Sequence, residues 1–265
     1  MNKEVLLSHL RSQTMGRTCV AFEETDSTNV QADRLAAEGA PHGTLVVADA
    51  QTAGKGRRGR TWVSKAGTNI YMSLMLRPEI SPEHASMLTL VMGLSTAKVL
   101  GTVVSGYGEI GIKWPNDLVW DGKKICGILT EMRMDGAKVD HVVIGVGINV
   151  NGTDFPEELR ETAASLCMVT GKELSRELLT ARIMEQFEQD YEVFLKTETL
   201  SGLIEDYNHF LVNRDREVRV LDPQMEYTGI ARGINEQGEL LVECEGERKR
   251  VYAGEVSVRG IYGYV

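Results

Sequence analysis

Lys113-Trp114-Pro115-Asn116-Asp117-Leu118-Val119-Trp120-Asp121-Gly122-Lys123-Lys124-Ile125-Cys126-Gly127 is the stretch on which the architecture turns. Asp121-Gly122 accepts the positive φ angles that a type I′ turn demands at both central positions, so it predicts a hairpin pairing residues 117–120 with 123–132. Lys124 then leaves the turn on a defined strand. Pro115-Asn116-Asp117 reads equally well as one more turn or as a polar ligand-binding group. In the second reading Asp117 helps to hold a magnesium ion, and Lys124 offers a point charge to a carboxylate or phosphate. Gly127 would let a ligand lie against its strand.

Outward from this hairpin, period-two apolar runs predict further strands at Leu45 to Ala50, Asn69 to Leu76, Ile110 to Trp114 and His141 to Val150. Ser27 to Glu38 reads as a short helix stopped by Gly39. Ser81-Pro82-Glu83 reads as the opening of a helix that runs to Leu100. Arg176 to Lys196 carries Leu179, Ile183, Phe187, Tyr191 and Phe194 at helical spacing. The class is α+β, a mixed sheet covered by helices, over residues 1–212. From residue 213 the pattern shortens to Val218–Leu221, Tyr227–Ile234, Leu240–Cys244, Lys249–Tyr252 and Val256–Arg259, broken by Asp222-Pro223, Glu236-Gln237-Gly238 and Glu245-Gly246. Five short strands with tight turns predict a small β-barrel domain at 213–265.

A chain of 265 residues with 42% hydrophobic and 25% charged residues can bury a full core, which excludes disorder, collagen and coiled coil. Runs such as Tyr71 to Leu76 and Val142 to Val150 fall short of the roughly 20 apolar residues that span a bilayer, and no signal-peptide core opens the chain. A cytoplasmic protein is the expectation. Cys19, Cys126, Cys167 and Cys244 lie far apart without a CxxC pair, which predicts free thiols and neither a local zinc nor a dithiol site. The net charge of −9 repels a polyanion over most of the surface, so nucleic-acid binding would have to be local.

Several familiar chemistries are absent. There is no GxxxxGK[ST], no GxSxG and no HExxH, and Gly145-Val146-Gly147 lacks the third glycine of a dinucleotide fingerprint. What remains is Gln51-Thr52-Ala53-Gly54-Lys55-Gly56-Arg57-Arg58-Gly59-Arg60-Thr61-Trp62, with three glycines along the run and four cations in the six residues from Lys55 to Arg60. In an acidic protein such a loop points to an anion at an active site, held by guanidinium forks and backbone N–H groups, although a basic surface patch for RNA would share the composition. Trp62 could stack on a nucleobase or belong to the core. Glu24-Thr25-Asp26-Ser27-Thr28-Asn29 reads as a helix N-cap cluster that also presents hydroxyls and donors to a polar ligand. Ile144-Gly145-Val146-Gly147-Ile148-Asn149 ends a buried strand in which the glycines signal close approach by a backbone or a ligand.

Together these segments resemble the biotin protein ligases. GKGRRGRTW is similar to that family's GRGRRGRxW loop, KWPND stands intact, GKKICGIL matches xxKxxGIL and GVGINVN matches GxGINxN. The tail, from Gly229-Ile230-Ala231-Arg232-Gly233-Ile234 through Gly238 to Gly254-Glu255-Val256-Ser257-Val258-Arg259, resembles the family's SH3-like C-terminal domain.

The resemblance implies a catalytic domain of the class II aminoacyl-tRNA synthetase/biotin synthetase type followed by an SH3-like barrel. It implies ATP-dependent attachment of biotin, through biotinyl-5′-AMP, to a lysine of the biotin carboxyl carrier domain of acetyl-CoA carboxylase or a related enzyme, with Mg2+. Biotin contacts would fall on Ser27, Thr28, Asn29, Gln51, Lys55, Gly56, Arg57, Lys124 and Gly127. Nucleotide contacts would fall on Arg60, Trp62, Asn116, Asn149 and Arg259, and the reacting groups would be met by Arg57, Arg60, Lys124 and Asp117, the last as a magnesium ligand. Too few residues precede the first motif for a helix-turn-helix, so operator DNA binding is not expected, and a homodimer is an open expectation. The nearest enzymatic rival is a lipoate protein ligase, which is similar in fold and acyl-adenylate chemistry. Against an RNA platform, residues 214–265 carry eight basic and ten acidic side chains.

Overall fold

The computed structural model describes residues 1–221, 226–253 and 257–260. Its central sheet has seven strands: β1 (Cys19–Thr25), β2 (Thr44–Gln51), β3 (Ile70–Leu76), β4 (Ile110–Lys113), β5 (Asp117–Trp120), β6 (Lys123–Asp135) and β7 (Lys138–Ile148). They lie in the order β1-β2-β3-β7-β6-β5-β4. β1 and β2 run parallel, and every other neighbouring pair is antiparallel. The predicted hairpin is present, with Asp121 at φ 47° and Gly122 at φ 72°. Asp117 pairs with Gly127 and Trp120 with Lys123, and a bulge between Leu118 and Val119 takes up the extra residue. β1 escaped prediction because Glu23 and Glu24 interrupt its apolar pattern at a sheet edge, where only one neighbour is needed.

Among the described residues, six helices surround the sheet: α1 (Lys3–His9), α2 (Thr28–Ala37), α3 (Met87–Val103), α4 (Leu166–Thr170), α5 (Arg176–Leu195) and α6 (Ile204–Phe210). Strand alternation divides their partners. Val46, Met75 and Val143 point to one face, where Ala32 and Ala36 of α2 cover them. Leu45, Val47, Leu74, Leu76, Val142 and Ile144 point to the other, into the main core with α3 and α5. Pro82–Val103 is long and apolar enough to cross a membrane by length and composition, longer than any run singled out from the sequence, yet most of it is buried inside the protein. α3 packs on the sheet on one side and on α5 on the other, which accounts for its apolar residues all round. The helix predicted from Ser81 opens later. Pro82–His84 form one 3₁₀ turn, Ser81 makes no side-chain cap bond, and the α-helix starts at Met87.

The last five strands, β8 (Arg216–Leu221), β9 (Tyr227–Ile234), β10 (Leu240–Cys244), β11 (Glu247–Val251) and β12 (Ser257–Gly260), form an antiparallel sheet in the order β11-β10-β9-β8-β12. The strands match the SH3-like expectation, but among the described residues no ladder joins β11 to β12, so the sheet is not closed into a barrel. Asp222-Pro223 and Gly254, Glu255 and Val256 of the tail motif lie outside the described residues. The two sheets are joined through Trp114, which is 1% exposed. Its backbone N–H donates to Asn213 Oδ1 at 3.1 Å, and its indole N–H donates to the Gly238 carbonyl at 3.0 Å. Trp114, between β4 and β5, thus ties the central sheet to the C-terminal one.

Candidate active site

One end of the sheet carries a small cavity where the start of α2, the end of β2 and parts of β6 and β7 converge. Ser27 precedes α2 without capping it. The cap duty falls to Gln51, whose Oε1 accepts from the Thr28 N–H at 2.8 Å and the Thr28 hydroxyl at 3.1 Å, while its Nε2 donates to Ser64 Oγ at 2.8 Å. Ser73 Oγ lies 2.8 Å from Thr28 Oγ1 and 2.6 Å from Asn29 Oδ1. Asn29 Nδ2 donates to Glu131 Oε2 at 2.7 Å and to the Leu129 carbonyl at 3.3 Å, which turns its oxygen inward. A single Ser73 proton cannot serve both acceptors, so this polar wall can take a donor from a ligand.

The glycines of β6 and β7 make room for this arrangement. A Cβ at Gly145 would stand 2.0 Å from Asn29 Oδ1, and one at Gly147 would stand 2.5 Å from the Trp62 ring. A Cβ at Gly127 would meet the same ring at 2.9 Å. Trp62 thus lies flat over two strands, with Lys124 Nζ 5.4 Å from its ring centre and its indole nitrogen buried without a hydrogen-bond partner. The floor is apolar, with Met72, Ile128, Leu129 and Val146.

Beyond Trp62 opens a larger cleft. Gly56, Arg57, Trp62, Asn116 and Lys124 line both spaces. This shared wall is tightly connected: Arg57 Nη1 donates to Asn116 Oδ1 at 2.7 Å, Asn116 Nδ2 donates to Asp117 Oδ1 at 3.1 Å, and Lys124 Nζ meets Asp117 Oδ1 at 2.6 Å. Asn116 Nδ2 also donates to the Ile128 carbonyl at 3.1 Å, which ties the turn before β5 to β6. Among the described residues lining the cleft are seven Lys or Arg and two Asp, the local reversal of sign that the basic loop forecast. In that loop Arg58 (φ 58°) and Gly59 (φ 72°) are both left-handed, and the Gly56 N–H closes the turn on the Arg60 carbonyl at 2.7 Å.

Burial pulls the Arg57 guanidinium down from its usual range, Asp117 opposing and Arg58 and Arg60 adding to the effect. Lys113, on β4 opposite Asp117, is pulled from 10.5 to about 8 by burial, against the attraction of Asp117 and with further repulsion from Lys124, Arg259 and Arg60. Burial pushes the Cys126 thiol well up, so it is no nucleophile. The four cysteines are free. No cluster of three or more His, Cys, Asp or Glu side chains suited to a metal occurs among the described residues. Asp117, the carboxylate expected to meet magnesium, lines the larger cleft with Lys124 against it at 2.6 Å.

Every residue expected at the biotin site, Ser27, Thr28, Asn29, Gln51, Lys55, Gly56, Arg57, Lys124 and Gly127, lines the small cavity. Arg60, Trp62, Asn116, Asp117, Asn149 and Arg259 line the larger cleft. Asn149 also has a structural task, donating to the Ala164 carbonyl at 3.1 Å. Lys55 pairs loosely with Glu131 at 3.7 Å, both about half exposed. The supporting residues Ser73, Ser64 and Glu131 and the buried Lys113 were not foreseen. Only Lys113 carried a local signal, a charge at a strand end whose neighbours Ile112 and Trp114 are apolar.

Residues 21–149 match the model of the biotin/lipoate A/B protein ligase family, and residues 215–259 match the biotin protein ligase C terminal domain. The bifunctional ligase/repressor BirA of Bacillus subtilis is 36% identical over 94% of this chain and 76% of its own length. The biotin--[acetyl-CoA-carboxylase] ligase of Mycobacterium tuberculosis is 33% identical over 93% of each chain. Among solved structures, the biotin protein ligase from Aquifex aeolicus in complex with biotin and ATP superposes with a TM-score of 0.79 at 30% identity, covering 92% of this chain and 99% of that one. The chain belongs to the biotin protein ligase family and is an enzyme of that class.

Proposed function

We propose that this protein joins biotin to ATP as biotinyl-5′-AMP and passes the biotinyl group to a lysine of the biotin carboxyl carrier domain of acetyl-CoA carboxylase or a related carboxylase. The observation that carries the proposal is the pair of cavities sharing one cationic wall at Arg57, Asn116 and Lys124. In this reading the ureido ring meets the wall of Ser27, Thr28, Asn29 and Gln51, and the valeryl chain runs over the apolar floor toward Lys124. ATP takes the cleft, with Arg60, Trp62, Asn149 and Arg259 around it. Residues 1–212 then carry the chemistry and residues 213–265 contribute Arg259.

A carboxylate does not acylate an amine at neutral pH, so activation comes first. A biotin carboxylate oxygen forms a bond to the α-phosphorus while the bond to the pyrophosphate oxygen breaks. Two anions must meet, and Arg57, Arg60 and Lys124 offset their repulsion, each charge-assisted hydrogen bond contributing about 1.5–3 kcal/mol. Asp117 holds Lys124 in register and stands on the wall where a phosphate-bound magnesium ion would approach, supplying further charge neutralisation. The glycine-rich loop, by covering the adenylate, would keep water from the mixed anhydride until the acceptor amine arrives.

Exchange of labelled pyrophosphate into ATP, with biotin, lipoate, octanoate or no acid, tests the reading. Exchange with biotin alone is the expected result. Exchange with lipoate or octanoate instead would assign the cavity to the rival acids, and the absence of exchange from folded protein would remove the adenylation step.

A further inference from the structure

Two chains of hydrogen bonds run along the polar wall of the small cavity, and each ends on a group that can only accept. The first ends on the Trp62 carbonyl. Ser64 Oγ donates to it at 3.0 Å and Gln51 Nε2 donates to Ser64 Oγ at 2.8 Å, so Gln51 Oε1 is turned to take both the N–H and the hydroxyl proton of Thr28. The second ends on Glu131, whose Oε2 accepts from Asn29 Nδ2 at 2.7 Å, with the Leu129 carbonyl as a longer second acceptor at 3.3 Å. Asn29 Oδ1 is thereby turned toward Ser73. The two chains meet at Ser73, which is 0% exposed and whose single hydroxyl proton faces Thr28 Oγ1 at 2.8 Å and Asn29 Oδ1 at 2.6 Å. Thr28 and Asn29 both line the cavity, and one acceptor of this pair is left over for a donor from it.

A carboxamide keeps nearly the same shape when its oxygen and nitrogen change places, so hydrogen-bond partners decide which end faces inward. For Asn29, 5% exposed, that decision falls to Glu131: a carboxylate cannot donate, and its charge-assisted bond at 2.7 Å outweighs the carbonyl at 3.3 Å. The other oxygen of Glu131 lies 3.7 Å from Lys55 Nζ with both side chains about half exposed, a pair that contributes little. We propose that Glu131 is a positioning residue that sets the substrate class of the small cavity, holding Asn29 so that the wall requires an N–H donor on the acid. This rests on the biotin reading above. A cyclic urea carries such donors, whereas a dithiolane or a straight-chain acid has none on its ring or chain and would leave a buried acceptor unpaired. Without the carboxylate, the Asn29 amide is free to turn over and donate to Ser73 Oγ, Ser73 donates to Thr28, and no acceptor is left over.

The test is calorimetry with biotin on wild type, Glu131→Leu, Glu131→Gln, Asn29→Ala and the Asn29→Ala/Glu131→Leu double variant. Glu131→Leu is expected to weaken biotin binding by roughly 10- to 100-fold, the scale of one hydrogen bond with its partner left buried. Glu131→Gln keeps an oxygen for Asn29 Nδ2 and gives up the charge facing Lys55, so its affinity should stay within about threefold of wild type. With alanine at 29, adding Glu131→Leu should change affinity by less than about twofold, because the carboxylate acts through the amide. Wild-type affinity in Glu131→Leu overturns the proposal. Equal losses in Glu131→Gln and Glu131→Leu also overturn it, by assigning the effect to the charge facing Lys55, and additive losses in the double variant do so by giving Glu131 a role apart from Asn29. Should a variant not fold, Glu131→Thr and Asn29→Leu serve under the same criteria. Wild-type protein that binds no biotin would refute the underlying reading itself, before any variant is made.

Discussion

Lys113→Met should make the ligand-free protein more stable, by an amount that depends on pH. The side chain is 6% exposed, and burial lowers its pKa from 10.5 to about 8 despite Asp117. That depression corresponds to roughly 3 kcal/mol of destabilisation when the group is charged in both states. Below about pH 8 the folded and unfolded chains both hold the proton, and the full penalty stands. Between about 8 and 10.5 the folded chain releases it while the unfolded chain keeps it, so wild-type stability climbs with pH. Above 10.5 neither state is charged and the penalty is gone. Methionine fills similar volume without a charge, and Asp117 keeps Lys124 as a partner at 2.6 Å, so no buried carboxylate is stranded. Urea melts of both proteins at pH 7, 8.5 and 10, without ligand, measure the difference. The variant should lead by about 1–3 kcal/mol at pH 7, and the gap should shrink toward pH 10. A variant less stable than wild type at pH 7, by a margin that pH does not change, would show that the ammonium is not paying a desolvation cost and would refute the argument.

Gly145→Ala is expected to drive the Asn29 amide away from Ser73 and Glu131, because the new methyl group would stand 2.0 Å from Asn29 Oδ1. Calorimetry should find biotin binding weakened by about tenfold or more, the scale of one lost hydrogen bond with its partner left buried; unchanged affinity in a folded variant would remove Asn29 from recognition. Arg57→Ala should form the adenylate slowly and release it freely, with a larger effect on the adenylation rate than on biotin affinity. Rapid-quench kinetics with an adenylate-release assay would expose the error if retention matched wild type. Cys126 should resist iodoacetamide in the native protein at pH 8, since burial raises its thiol pKa and leaves it 0% exposed. Peptide mapping should find Cys167 or Cys244 alkylated first.

Much of this molecule is written locally. Asp121-Gly122 specified a hairpin because those two residues tolerate the backbone angles of the turn. Strands such as Tyr227–Ile234 and Leu240–Cys244 were legible to the residue because alternation and flanking glycines are short-range signals. The charge content of Lys55 to Arg60 forecast a cleft lined by cations, and Ser27 to Asn29 line the small cavity, although Ser27 leaves the capping of α2 to Gln51. Other features needed the assembled protein. The parallel pairing of β1 with β2, the contact between Trp114 and Gly238, and the fit of Asn29 over Gly145 join residues far apart in the chain. No local preference encodes them, because they are set by which surfaces the packed core brings together. The same holds for Lys113: its charge is evident from the sequence, but its burial beside Asp117 and near other cations, and therefore its lowered pKa, exist only in the folded protein.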